Sequence, residues 1–172
     1  MKNSRKLKLY LIGSLRNPEI PKIAGRIRKL GFDVFDDWYA AGPEADDKWR
    51  DYEKEREHSY KEALDGYAAD HVFQFDKKHL LESNIAVLKL PAGRSGHLEG
   101  GVIAGFTLAV LHLFKKYAKR LKGVNMRREI KKFYIWHDNP DRWDVMYKFA
   151  DGVVYSFEEL ETELEKIKNQ NK

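Results

Sequence analysis

Five short β-branched or aliphatic runs, alternating with helical patterns, predict an α/β protein with a five-stranded parallel sheet between two helical layers. Two junctions sharpen that expectation. The first run, Leu7–Ile12, ends on Gly13-Ser14, and the third, Ile85–Leu90, ends on the turn Pro91-Ala-Gly-Arg-Ser-Gly-His-Leu-Glu99-Gly-Gly. Crossovers between parallel strands are right-handed, so the helices cover both faces. In the strand order 2-1-3-4-5 the winding reverses between strands one and three, and ligands bind at the carboxyl ends of the strands there. Gly13-Ser14 and the turn toward Glu99 then form two walls of one crevice.

The elements follow in order. After the first strand, Pro18 and Pro21 stand where a helix begins, and Ile20, Ile23, Ile27 and Leu30 recur at helical spacing up to a cap at Gly31. Phe32–Phe35 is the second strand, running into the turn Asp36–Tyr39 and the loop Ala40–Pro43. Residues 46–64 are highly charged, with Trp49, Tyr52 and Tyr60 scattered among them, and read as one solvated helix or a lid. Tyr67–Ser83 is a helix that takes apolar contacts from Val72, Phe73, Phe75, Leu80 and Leu81. Leu98, Val102, Phe106, Val110, Leu113, Tyr117 and Leu121 mark a long amphipathic helix behind the third strand. Phe133–Trp136 is the fourth strand, 141–149 a short helix after Asn139-Pro140, and Gly152–Tyr155 the fifth strand. Ser156 and Glu159 form a capping-box pattern for the last helix. The architecture is a three-layer sandwich of Rossmann/flavodoxin-like type, a single domain over 1–172.

Composition narrows the function classes. The chain has no cysteine, which removes disulfides, thiol nucleophiles and cysteine–zinc sites and agrees with a cytoplasmic location. No signal-peptide pattern opens it, and the apolar stretch 102–114 is too short to span a bilayer, so no membrane partner is expected. The six histidines show no metal-binding spacing, and no metal or other cofactor is expected. Of the net charge of +5, the segment 115–132 contributes +8, nine Lys or Arg against Glu129, and the rest of the chain is at −3. This basic insertion reads as a solvated helix end and loop rather than a nucleic-acid surface, because Tyr117 is its one stacking aromatic.

The chemistry-bearing stretch is 93–99. Small residues let a ligand approach the backbone, and a helix start attracts anions. The glycine spacing fits neither a dinucleotide fingerprint nor a Walker loop. Glu99 at this place is a candidate nucleophile or general base; favourable interaction with the helix dipole is the alternative use of such a residue.

Several segments together resemble the nucleoside 2-deoxyribosyltransferase family, with its related deoxynucleoside 5′-monophosphate N-hydrolases. They are Tyr10-Leu-Ile-Gly-Ser-Leu-Arg16, Gly96-His-Leu-Glu99-Gly-Gly, Met146-Tyr-Lys-Phe-Ala-Asp-Gly152, and Asp76 placed eight residues before Asn84. The resemblance implies cleavage of the N-glycosidic bond of 2′-deoxynucleosides and transfer of the deoxyribosyl group to another nucleobase. Glu99 would be the nucleophile that forms a covalent deoxyribosyl ester, as a carboxylate does in retaining glycosidases. Tyr10, at the end of the first strand, would orient Glu99, and Asp76 would pass a proton to the departing base. Gly13, Ser14, Arg16, Gly93, Arg94, Ser95, Gly96 and Met146 would shape the pocket, and Trp38 would be either a stacking wall or a core residue. Asp144 matches a position that a neighbouring subunit inserts near the sugar's 5′ end, which implies a homo-oligomer with shared sites. The other partners are a nucleoside or nucleotide and a free nucleobase.

The chain also departs from the family pattern. Gly93 stands where many transferases carry an aspartate, Gly100 replaces a leucine, and 102–132 is longer and more basic. Asp144 argues against a 5′-phosphate and Arg16 and Arg94 argue for one. Two alternatives therefore stand beside the transferase: an N-glycoside hydrolase of deoxynucleoside monophosphates or NAD-like substrates, and a non-catalytic nucleotide sensor or nucleic-acid-associated module.

Overall fold

The computed structural model describes residues 6–90, 132–141, 147–148 and 150–171. Within them lies one sheet of five parallel strands, ordered β2-β1-β3-β4-β5. The strands are β1 (Lys8–Ile12), β2 (Asp33–Phe35), β3 (Ile85–Leu90), β4 (Lys132–His137) and β5 (Gly152–Val154). All four pairings are parallel, with Tyr10 opposite Phe35 on one side and Ala86 on the other. The winding reverses between β1 and β3, where the sequence places the crevice. β3 is buried along its whole length, as expected for a central parallel strand covered on both faces.

One face of the sheet carries α1 (Ile20–Lys29) and the last helix, α5 (Phe157–Asn169). Ile20, Ile23, Ala24 and Ile27 on α1 and Phe157, Leu160, Leu164 and Ile167 on α5 pack against Leu9, Leu11, Ile85 and Val87. Gly31 ends α1 at φ +96°, a conformation glycine adopts without a Cβ penalty. At the start of α5 the Ser156 hydroxyl accepts the Glu159 N–H at 3.1 Å, but the Glu159 carboxylate turns to the Tyr155 N–H at 2.8 Å. The reciprocal arm therefore lands one residue before the one the capping-box pattern specifies. Ala86, Leu88, Leu90, Phe133, Ile135 and Tyr147 make the core on the opposite face.

The charged stretch 46–64 is not one helix. It folds as α2 (Ala45–Glu55) and α3 (Tyr60–Leu64), preceded by a short 3-10 helix over Asp37–Ala41. Glu57 takes a left-handed φ of 60° that breaks α2, and Ser59 with Glu62 forms a complete capping box that starts α3. The buried Glu53 carboxylate holds the break together through His58 Nδ1 at 2.7 Å. The next helix, α4 (Tyr67–Glu82), has the expected extent, but none of its residues is buried. Leu80 packs onto the second core, as expected, and Phe75, though partly exposed, contacts Phe35, whereas Val72 and Phe73 stand exposed, contrary to the reading from sequence. Phe73 lies two turns before Leu80 on the same side of α4, so apolar spacing alone did not fix which turns of the helix the sheet covers.

Asp151 and Gly152 serve the fold. The Asp151 carboxylate accepts the Phe133 N–H at 2.9 Å and Lys132 Nζ at 2.7 Å, and its own N–H donates to the Phe133 carbonyl at 2.8 Å. A Cβ at Gly152 would lie 3.0 Å from the Tyr134 ring, so the Asp-Gly pair latches β5 closely to β4. The helix expected over 98–121 lies outside the described residues, as does most of the one over 141–149. The fifth strand stops at Val154, one residue short of expectation.

Candidate functional site

Tyr10 sits in the middle of β1 rather than at its end. Alternation along the strand turns Leu9 and Leu11 toward α1 and α5, and Tyr10 toward α4. There the Tyr10 side chain meets Asp76, close enough for the phenol and the carboxyl to shift each other's protonation. Burial pushes the Tyr10 hydroxyl well above its ordinary range, and the neighbouring carboxylate adds to the effect. Burial likewise raises Asp76, against the opposing pull of the Tyr10 hydrogen bond and of His79. Asp76 Oδ1 has no hydrogen-bond partner among the described residues. A carboxyl in such surroundings holds its proton to higher pH than an exposed aspartate, as a general acid requires.

Aromatic rings wall this pair. The Tyr10 ring lies 4.9 Å from Phe35, and Phe35 stacks on His79 at 4.0 Å between centroids and 9° between planes. Phe75 closes the group, 4.7 Å from His79 and 5.6 Å from Phe35. Phe35, Phe75 and His79 escaped the sequence reading as site residues. The available signal was the helical spacing of Phe75, Asp76 and His79, which gathers them on adjoining parts of α4.

Gly13, Ser14, Arg16 and Trp38 gather just past the end of β1. The Trp38 indole donates to the Leu11 carbonyl at 2.8 Å and packs against the α1-side core. A Cβ at Gly13 would lie 2.4 Å from Ile20 Cδ1 and 3.5 Å from the Trp38 ring. Gly13→Ala is therefore expected to destabilise the protein by about 1–2 kcal/mol through overpacking against the buried Ile20, read as a lowered urea midpoint at unchanged slope. The Ser14 hydroxyl accepts the Arg16 N–H at 3.2 Å and its carbonyl the Asn17 N–H at 2.9 Å, which tightens the turn into α1. The Arg16 guanidinium is engaged with Asp47 on α2 at 2.8 Å.

The structure thus joins Tyr10 to Asp76 and Gly13 to Trp38, on opposite sides of β1. Gly93, Arg94, Ser95, Gly96, Glu99, Asp144 and Met146 lie outside the described residues. No group of carboxylates and histidines suited to a metal occurs among the described residues, and no described helix is long and apolar enough to cross a membrane.

A second cluster, at the carboxyl end of β3, was also missed. Lys89 is 1% exposed, and its ammonium pairs with Asp138 just after β4 and donates to the Leu90 carbonyl at 3.3 Å. It also lies 4.6 Å from the centre of the Trp136 ring. A lysine inside the run Ile-Ala-Val-Leu-Lys-Leu was the visible signal.

Comparison of the chain with protein-family models and with curated proteins finds no match in either.

Proposed function

We propose that the protein cleaves the N-glycosidic bond of 2′-deoxynucleosides and transfers the deoxyribosyl group to another nucleobase. The observation that carries this reading is the Tyr10–Asp76 pair. It sets a carboxyl whose pKa burial raises beside a phenol, next to the switch point of the sheet. A base departing from an anomeric carbon needs a proton on its nitrogen, and a carboxyl whose pKa burial raises is suited to carry one. Glu99, thirteen residues after Ala86, the register partner of Tyr10 on β3, supplies the nucleophile in this reading. Its carboxylate attacks the anomeric carbon as the C–N bond breaks, and a second base then attacks the ester and releases the carboxylate. Lacking a 2′-hydroxyl, the sugar reaches the oxocarbenium-like transition state easily, so two carboxyl groups and a phenol suffice.

A second copy of the chain belongs to this reading, with Asp144 completing a neighbour's site. The exposed Tyr67, Val72 and Phe73 on α4 support it, because a helix that buries none of its residues gains stability from a further surface. Sedimentation velocity is expected to show a dimer or larger species.

The test is incubation with each deoxynucleoside and its 5′-monophosphate, with and without a second free base, followed by chromatography. Base exchange supports the transferase. Base release that ignores the acceptor replaces it with the hydrolase, and absence of any turnover removes the catalytic reading.

A further inference from the structure

We infer that Lys89 and Asp138 act as a positioning pair for the carboxyl edge of the sheet, an inference that rests on the glycosidic reading above. Lys89 occupies a strand position that faces the apolar core, beside Val87 and opposite Trp136, where an aliphatic side chain would pack without cost. A buried ion pair at such a place is poor evidence for stability, since a well-packed apolar pair is often as stable or more so. What the pair does supply is direction. Asp138 is preset by its own turn, in which the Asn139 N–H donates to His137 Nδ1 at 2.9 Å and the Asp141 N–H to Asn139 Oδ1 at 2.9 Å. The ammonium, fixed by that carboxylate and by the Trp136 ring, in turn grips the carbonyl of Leu90. Leu90 is the last residue of β3 and the one from which the chain sets out toward Glu99. The ends of β3 and β4 are thereby locked together at the edge where a parallel sheet binds its ligand. A small error in the direction of a chain that carries a reacting group costs rate even when binding survives.

The experiment compares wild type, Lys89→Met, Asp138→Asn and Ile27→Val. Methionine fills the space of the lysine stem, and Asp138, 40% exposed, then hydrates. Ile27→Val removes one methyl group from the α1-side core and serves as a purely structural control. We expect kcat to fall tenfold or more in both Lys89→Met and Asp138→Asn with KM within threefold, while Ile27→Val, with a Tm at or below theirs, keeps its kcat. Equal kcat values in Lys89→Met and wild type overturn the proposal, as does a loss that Ile27→Val reproduces at matched Tm. Hydrogen exchange over 88–90 and 136–141 needs no substrate and separates this inference from the function it rests on. If wild type turns nothing over, faster exchange confined to those segments in Lys89→Met still supports the lock. Unchanged exchange sinks it.

Discussion

Glu99→Gln is expected to abolish turnover of every deoxynucleoside the wild type accepts, with a loss on the order of 10⁴-fold or more, as when the nucleophile of a covalent mechanism is removed. Glutamine keeps the size and one acceptor of glutamate but forms no ester. Substrate binding should therefore survive, and KM, where residual turnover allows it to be measured, should change little. A complementary result comes from trapping. Wild type quenched during turnover should carry an added deoxyribosyl mass on a peptide containing Glu99, and Glu99→Gln should carry none. A variant that keeps more than a tenth of wild-type kcat would mean that the carboxylate at this position interacts with the helix dipole and that the nucleophile lies elsewhere.

Asp76→Asn should show opposite effects on rate and stability. Asparagine keeps an acceptor for the Tyr10 hydroxyl but has no proton to deliver, and a loss of roughly 10²–10³-fold in kcat is expected for a general acid. The wild-type rate should fall as pH rises through the elevated pKa of Asp76, and the variant should lack that limb. Stability runs the other way. Because folding raises this pKa above its ordinary value of 3.8, the folded protein binds the proton more tightly than the unfolded chain. The favourable contribution of Asp76 is complete below pH 3.8 and is lost as pH climbs through the higher folded value. Above that folded value the ionised, half-buried carboxylate is a burden that asparagine lacks. The variant should therefore gain in Tm on wild type as pH rises through that value, with the gap smallest near pH 3.8. A Tm difference that moves in favour of wild type as pH rises would show that the carboxylate is stabilised rather than strained by its surroundings.

The ease of reading this chain depended on the range of the interactions involved. Strands such as Ile85–Leu90 announce themselves because full burial demands an unbroken apolar run, and Gly31 because only a left-handed residue closes α1 there. The division of 46–64 was partly visible, since Ser59 and Glu62 carry a capping box three residues apart. The break itself depends on Glu53 meeting His58 in the folded chain, which charge patterning alone does not show. At the site, Tyr10 and Asp76 entered through a resemblance of short motifs, and their contact joins residues far apart in sequence through the packing of α4 on β1. Phe35 and His79 acquire meaning only from that packing. Lys89 and Asp138 are separated by 49 positions, and their pairing follows from the register of β3 against β4.

The two outer strands are the shortest. β2 and β5 have three residues each, while the interior strands have five or six. An edge this brief offers few unpaired amide and carbonyl groups to an approaching chain, and the exposed Asp33 on β2 adds a charge that resists stacking. The sheet is consequently a poor template for its own extension, which guards a protein rich in aliphatic strands against aggregating through its edges. Among the described residues, an assembly of this protein finds more surface in the side chains of its helices than in an open-ended ladder of strands.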